Sequence, residues 1–333
     1  MKKLISLFLI VSLFSVSCDA LAAVKEKTVD FVHDVKKTSY TYLLLGLDDA
    51  AGNTDFIVLL NYDGGTNSYS VLGIPRDSYF SSVPAPNKIN GFIPSRAADG
   101  DVEVSHVRDF STALSASLGI RIDGTVAYTM SAVAGIVDAV GGVDVHIPHD
   151  ISGTDYSGRK IEIKAGDRHL TGEEAVFFVR HRASYSLGDL GRMDAQKLFI
   201  SAFINKLKSS FNPEIAIKLL TYRDKGVITD IDTSELITFA LKNLIKIKDA
   251  EGSFANIPGA AVTSLGGVSY YSVNKRASRE LLSFLKFTSI SDFDPAGVFR
   301  GGEEALYWIY DSSDISYNVY TDEELNSLSI LVK

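Results

Sequence analysis

Three apolar runs of strand length dominate the first part of the hydropathy pattern: Tyr42-Leu43-Leu44-Leu45-Gly46-Leu47, Phe56-Ile57-Val58-Leu59-Leu60-Asn61-Tyr62 and Ser70-Val71-Leu72-Gly73-Ile74. They are continuous rather than alternating, which predicts strands covered on both faces. The Asp63-Gly64-Gly65 turn signal predicts a hairpin between the second and third. Helices must then cover a buried central sheet. Helical periodicity over Val107 to Leu118 and Ser131 to Val140 supplies two of them, the latter stopped by Gly141-Gly142 before a further strand, Val143 to Ile147. Thr171-Gly172-Glu173-Glu174 is a capping-box pattern opening a helix through Val179, and Arg192 to Lys208 predicts a longer amphipathic helix. Ser234 to Ile247 and Arg276 to Phe287 predict two more after Asn212-Pro213. No internal repeat and no break in composition marks an independent second domain.

The N-terminus has a different pattern. Lys2 and Lys3 precede a mostly apolar run from Leu4 to Ser17, and Ala20-Leu21-Ala22 is a small-x-small cleavage signal. This reads as a secretory leader. The run is shorter than the roughly 20 residues of a spanning helix, and Asp19 blocks its extension, so an uncleaved anchor is the weaker alternative. Cys18 stands where a lipoprotein cysteine would, although Ser15 occupies the usual leucine position. The chain thus divides into a leader at 1–22, a charged spacer at 23–39, a main domain at 40–288 and an extension at 289–333. The extension, rich in Asp, Ser and Tyr, reads either as an appended edge or as a partly ordered tail.

Charge removes other classes. With 33 Lys and Arg against 41 Asp and Glu, the net charge of -8 argues against general nucleic-acid binding. A single cysteine leaves no intramolecular disulfide and no multi-cysteine zinc site. G-x-G-x-x-G, P-loop, G-x-S-x-G and H-E-x-x-H patterns are absent, and the 6 histidines do not fall at metal-ligand spacings.

What remains is Asp and Arg at the ends of apolar strands. Asp48 follows the first strand, Asp55 precedes the second, and Arg76-Asp77 follows the third through Pro75. Singly, each reads as a turn carboxylate or a surface ion pair. If the first two strands are neighbours, Asp48 and Asp55 converge, and paired hard carboxylates suit Mg²⁺ or Mn²⁺. Arg180-His181-Arg182 ends one helix and Arg192 begins the next, with Gln196 four residues on along the same face and Asp189 placed to cap it. Arginines converging on a metal make a phosphate or diphosphate cradle; the alternative is salt bridging to Glu173, Glu174 and Asp189.

The ordered series Gly46-Leu47-Asp48, Asn53-Thr54-Asp55, Ile74-Pro75-Arg76-Asp77, Lys88-Ile89-Asn90, Gly141-Gly142-Val143, Leu170 to Ala175, Val179 to Arg182 and Asp189-Leu190-Gly191-Arg192 with Gln196 resembles the LytR-CpsA-Psr family. The resemblance implies an α/β fold, a three-layer α/β/α sandwich with a central mixed β-sheet. It also implies an extracytoplasmic enzyme at the cell membrane or wall. The implied reaction is Mg²⁺-dependent transfer of a phosphoglycopolymer from an undecaprenyl-diphosphate carrier to peptidoglycan. Carried over by position, Asp48 and Asp55 look like metal carboxylates, and Arg76, Arg180, Arg182 and Arg192 like a diphosphate clamp. Gln196 looks like a supporting contact, Asp189 like a base or an organiser of the arginines, and Lys88 and Asn90 like further substrate contacts. Two positions depart from the pattern: Asn53 and Ala195 stand where many members carry arginine. The apolar face of Arg192 to Lys208, with Ile200, Phe203, Ile204 and Leu207, reads either as a lipid wall or as core. The same site with water as acceptor would make a pyrophosphatase, and without turnover a polyprenyl-phosphate-binding envelope protein.

Overall fold

The computed structural model describes residues 37–48, 53–97, 101–155, 158–210, 215 and 226–330; the leader, Cys18 and most of the spacer lie outside the described residues. The three apolar runs are β1 (Ser39–Leu47), β2 (Thr54–Asp63) and β3 (Ser68–Gly73). β2 and β3 form the expected hairpin, with Asp63 opposite Ser68, and β1 pairs antiparallel with β2. β4 (Gly124–Thr129) joins β1 in parallel and carries β9 (Val227–Thr229) at its far edge. On the other side β10 (Glu251–Asn256) joins β3 in parallel and carries β13 (Tyr320–Thr321) antiparallel. The result is a mixed seven-stranded sheet.

Its faces divide by residue parity, as strand geometry demands. Leu43, Leu45, Ile57, Leu59 and Leu72 point to one side, against α1 (Val104–Leu118) and α6 (Lys275–Phe284). Phe56, Val58 and Val71 point to the other, against α2 (Met130–Ala139), α3 (Gly172–Arg180) and α4 (Asp189–Ser210). There α5 (Thr233–Ile247) also presents Phe239 edge-on to Tyr40, Tyr42 and Tyr62. The architecture is an α/β three-layer sandwich. Leu43, Leu45 and Leu59 are each 0% exposed, which stabilises the fold by roughly 1.5–3 kcal/mol apiece and explains the unbroken apolar runs.

The remaining strands form small ribbons. β5 (Val143–Ile147) pairs with β8 (Gly166–Leu170), and β6 (Ile151–Thr154) with β7 (Lys160–Ile163). β11 (Gly259–Thr263) and β12 (Ser269–Val273) form a third, covered by α7 (Glu304–Asp311) through the bond from Ser272 Oγ to the Leu306 carbonyl, 2.7 Å. Beyond Ser289 the chain supplies Phe293, Phe299 and Tyr310 to the first core, while Leu325 of α8 (Asp322–Asn326) joins the second. No described helix is long and apolar enough to cross a membrane.

Two features position the site. Thr171 and Glu174 form the expected capping box at the start of α3. Immediately after it, Gly172 lies so close to α2 that a β-carbon would meet the Ala134 carbonyl oxygen at 2.0 Å. Only glycine permits this approach, which lays α3 and its terminal Arg180 over the sheet. The second feature is the burial of α4. Rather than one apolar stripe, its first half is covered all round, with Met193, Ala195, Gln196, Lys197, Leu198, Phe199 and Ile200 all buried. Lys197 meets this burial by pairing with Asp194 at 2.9 Å and lying 4.9 Å from the centre of the Tyr320 ring.

Candidate functional site

The candidate residues gather where β1 and β2 end. The register runs Gly46 opposite Phe56 and then Leu47 opposite Thr54, so Asp55 is the extra residue of a β-bulge. In a regular strand Asp55 and Phe56 would face opposite sides of the sheet; here both line the same cavity. Gly46 permits the local crowding, since a β-carbon there would sit 2.8 Å from that of Phe56. Asp48 lies one residue past β1, its amide donating to the Asn53 carbonyl at 2.8 Å to close the connection. The two carboxylates therefore come from adjacent strand ends.

Arg76 projects from the turn after β3, in which Ser78 N donates to the Pro75 carbonyl at 3.0 Å. Its Nη1 donates to Asp55 Oδ1 at 2.6 Å, and its Nε lies 3.3 Å from Asp189 Oδ1. Arg192, only 4% exposed, places Nη2 2.6 Å from the same Asp189 oxygen and donates to the Asp55 carbonyl at 3.3 Å. Asp55, Arg76, Asp189 and Arg192 thus form one network drawn from three separate parts of the chain. Asp189 does not cap α4 as its sequence position suggests. It is the first helical residue, and its carboxylate turns to the two guanidiniums, a charge contact the helix amides do not match.

The network is incomplete in a specific way. Arg76 Nε, Arg192 Nε and Asp189 Oδ1 are all buried, and none has a partner with hydrogen-bond geometry despite the short charge contacts. Burial opposes ionisation throughout. It raises the Asp189 carboxyl above its ordinary range, with Arg192 and Arg76 pulling it back. It lowers Arg192, against the pull of Asp189, whereas for Arg76 the Asp55 bond and nearby carboxylates outweigh the cost of burial and the net shift is upward.

The other candidates are placed less centrally. Arg180 Nη2 is 3.8 Å from Asp48 Oδ1. Gln196 Nε2 donates to the Val179 carbonyl at 3.3 Å, steadying the end of α3. Arg182 follows α3 and lines an adjoining cavity of about 390 Å³. Lys88 reaches Asp77 at 2.9 Å rather than the network, and Asn90 contacts it through the main chain, its amide donating to the Arg76 carbonyl at 3.1 Å. Ala195 is wholly buried in the second core, so a charged side chain there would face apolar neighbours.

A small cavity of about 30 Å³ opens beside the network, walled by Phe56, Tyr128, Met130, Val133, Val179 and Phe199, with Asp55, Arg180, Arg192 and Gln196 also lining it. It abuts the larger cavity at Met130 and Arg180, which line both. Ile200, Phe203, Ile204 and Leu207 pack in the second core and do not line it; Phe199 of the same helix does. Tyr128 and Phe199 carried no sequence signal beyond apolarity, because lining a cavity and filling a core select the same side chains.

The family model described as LytR_cpsA_psr matches residues 7–286, well over half of the chain. The chain belongs to the LytR_cpsA_psr family. A relative from Bacillus subtilis (strain 168), named polyisoprenyl-teichoic acid–peptidoglycan teichoic acid transferase TagV, is 31% identical over 216 residues, covering 61% of this chain and 53% of its own. The chain thus matches about half the length of that relative. A TagU transferase of the same descriptive name from Bacillus cereus is 28% identical, covering 75% of this chain and 79% of its own. The crystal structure of B. subtilis TagV shares the fold, with a TM-score of 0.60 at 24% identity over 76% of this chain and 99% of that one.

A pair of histidines packed against Tyr185 carries a pH prediction. His149 and His181 each pack edge-on against Tyr185, with ring centroids 5.4 and 5.6 Å away. Neither ring nitrogen of His149 has a hydrogen-bond partner. Burial lowers both pKa values from the ordinary 6.5; Asp150 opposes this for His149, and His149 reinforces it for His181. The unfolded chain then binds more protons than the folded one below the ordinary value, so stability is full above it and declines as pH falls toward the lowered values. Thermal midpoints measured across this range should fall on acidification, and less steeply in the His149→Gln/His181→Gln double variant. An unchanged slope would assign the acid sensitivity elsewhere.

Proposed function

We infer that this protein transfers a phosphoglycopolymer from a polyprenyl-diphosphate carrier, undecaprenyl diphosphate in the simplest case, to peptidoglycan at the outer face of the cell membrane. The observation that carries this reading is the buried Arg192 guanidinium beside an apolar cavity, its Nε without a hydrogen-bond partner, joined to Arg76 through Asp189. A diphosphate supplies the acceptor oxygen that Arg192 Nε lacks, and a prenyl chain suits the wall of Phe56, Tyr128, Val133 and Phe199. At about 30 Å³ the cavity holds only part of an isoprene chain, and it abuts the larger cavity at Met130 and Arg180. The names of the TagU and TagV relatives support the same donor and acceptor classes.

In this reading Arg76 and Arg192 hold the diphosphate, Arg180 and Arg182 flank it, and Asp189 stands between the clamp arginines. A hydroxyl of the wall glycan attacks the glycan-linked phosphorus, its proton passes to Asp189, and the phosphorus–oxygen bond to the lipid phosphate breaks. Polyprenyl phosphate leaves. A carboxyl raised by burial is suited to accept that proton. Positioning and charge compensation do most of the work in such transfers.

Asp48 and Asp55 are the residues that would hold Mg²⁺, or Mn²⁺. Among the described residues no group of three His, Cys, Asp or Glu side chains could enclose a metal, but Mg²⁺ bound to a phosphate substrate takes only one or two carboxylates. The donor set fits. When bound, the ion supplies neutralisation of charge developing on the phosphates.

The test uses the full protein with a polyprenyl-diphosphate-linked glycan and purified wall, with and without Mg²⁺. Glycan should become wall-linked with release of polyprenyl phosphate, and Asp55→Ala should lower the rate by about 10²-fold or more. Free phosphorylated glycan would replace the reading with hydrolysis; carrier bound but never consumed would replace it with lipid binding.

A further inference from the structure

The family match ends at residue 286, yet the segment beyond it builds an aromatic surface on the ribbon that pairs with the segment after Arg76. On α7, Leu306, Ile309 and Tyr310 are buried against the β11–β12 ribbon, leaving Tyr307 at 42% and Trp308 at 60% exposure on the outer face. The Arg300 guanidinium lies 4.5 Å over the Tyr307 ring, holding it in place. The ribbon tip adds Leu265, fully exposed, whose amide donates to Glu303 Oε2 at 3.0 Å.

From there the ribbon leads back toward Arg76. β12 pairs with the segment after Arg76: Tyr271 N donates to the Asp77 carbonyl at 2.9 Å, and Tyr79 N to the Tyr271 carbonyl at 3.0 Å. Tyr79 packs edge-on against Tyr270, with centroids 5.8 Å apart, and Lys88 lies 5.8 Å from the same Tyr270 ring while pairing with Asp77. The buried strand β12 therefore joins the segment after Arg76 to α7, with Tyr79 and Lys88 half-buried over Tyr270 between them.

We propose that this face is the docking track for the acceptor: an uncharged N-acetylated amino-sugar polymer, laid from Trp308 and Tyr307 past Tyr79 and Lys88 to the site. The proposal rests on the reading that the acceptor is wall glycan. Charge selects the occupant. Glu303, Glu304 and Asp311 on this helix outweigh Arg300 and leave the aromatic pair in a net acidic setting on an already acidic chain, which opposes an anionic bilayer or a polyphosphate. Sugar rings instead offer apolar C–H faces to the aromatic rings and hydroxyl and amide groups to Glu303 and Lys88. Lys88, paired with Asp77 rather than with the arginine network, then has a task in orienting the incoming strand.

Trp308 is the only tryptophan in the chain, so its emission reports directly on this surface. Titrating the full protein with a soluble N-acetylglucosamine hexamer should produce a saturable blue shift. Tyr307→Ala should weaken that binding about tenfold, the scale of one lost aromatic contact, without changing polyprenyl-diphosphate binding. In Trp308→Ala, retention on insoluble N-acetylglucosamine polymer should fall by a similar factor. No shift with the hexamer, or a shift produced only by phosphatidylglycerol vesicles, would overturn the track. The two readings fail separately: loss of the shift with wall transfer intact refutes the track alone, whereas a saturable shift in a protein that makes only free phosphorylated glycan keeps the track and refutes the transfer reaction.

Discussion

Arg192→Met is expected to lower transfer by about 10³-fold and the unfolding free energy by roughly 3 kcal/mol. The stability loss follows from burial. Arg192 is 4% exposed and lies 2.6 Å from Asp189, so its removal leaves that carboxylate in a dry site with only Arg76, 3.3 Å away, as a charged partner. The activity loss follows from the proposed clamp, in which Arg192 lines the apolar cavity with a buried Nε that has no hydrogen-bond partner. Urea unfolding and single-turnover transfer measure the two effects independently. Arg192→Lys should recover much of the stability and little of the rate, because an ammonium restores charge but not the guanidinium fork. Near-normal turnover in Arg192→Met would remove this residue from the clamp.

Asp189→Asn should have the opposite balance: kcat lowered about 10³-fold with carrier binding unchanged or tightened. The amide keeps the shape of the carboxyl but cannot take a proton at working pH. It also removes the negative charge that Arg76 and Arg192 currently share, leaving both more available to phosphate. The pH profile supplies a second readout. A base must be ionised, and burial raises this carboxyl, so wild-type kcat should decline on acidification through a pKa above the ordinary 3.8. That limb should be absent in the variant. If binding and kcat instead weaken together and the acid limb persists, Asp189 organises the arginines without acting as the base.

The legibility of this molecule varied with the range of the interaction involved. The predicted strand from Val143 to Ile147 coincides with β5, and the Thr171 capping box lies at the start of α3. Both are written locally, in alternation and in a four-residue hydrogen-bond pattern. Arg192 to Lys208 was legible as a helix but not as one whose first half is buried on every side, because its covering comes from the sheet, α3 and the tail. The tail itself was ambiguous for the same reason: Tyr310 and Leu325 find their cores across long separations in sequence.

The sequence by itself determined the covered central strands, the helices that cover them, the order of the acidic and basic motifs, and through that order the family. Only the tertiary structure decided that Asp55 occupies a bulge, that Arg76 and Arg192 converge on Asp189, and that Lys88 turns away toward Asp77. The physical reason is that apolar burial acts on each residue's own pattern, whereas a buried charge is tolerated only where distant segments close around it with compensating partners. Such pairings are a property of strand register and helix packing rather than of spacing along the chain.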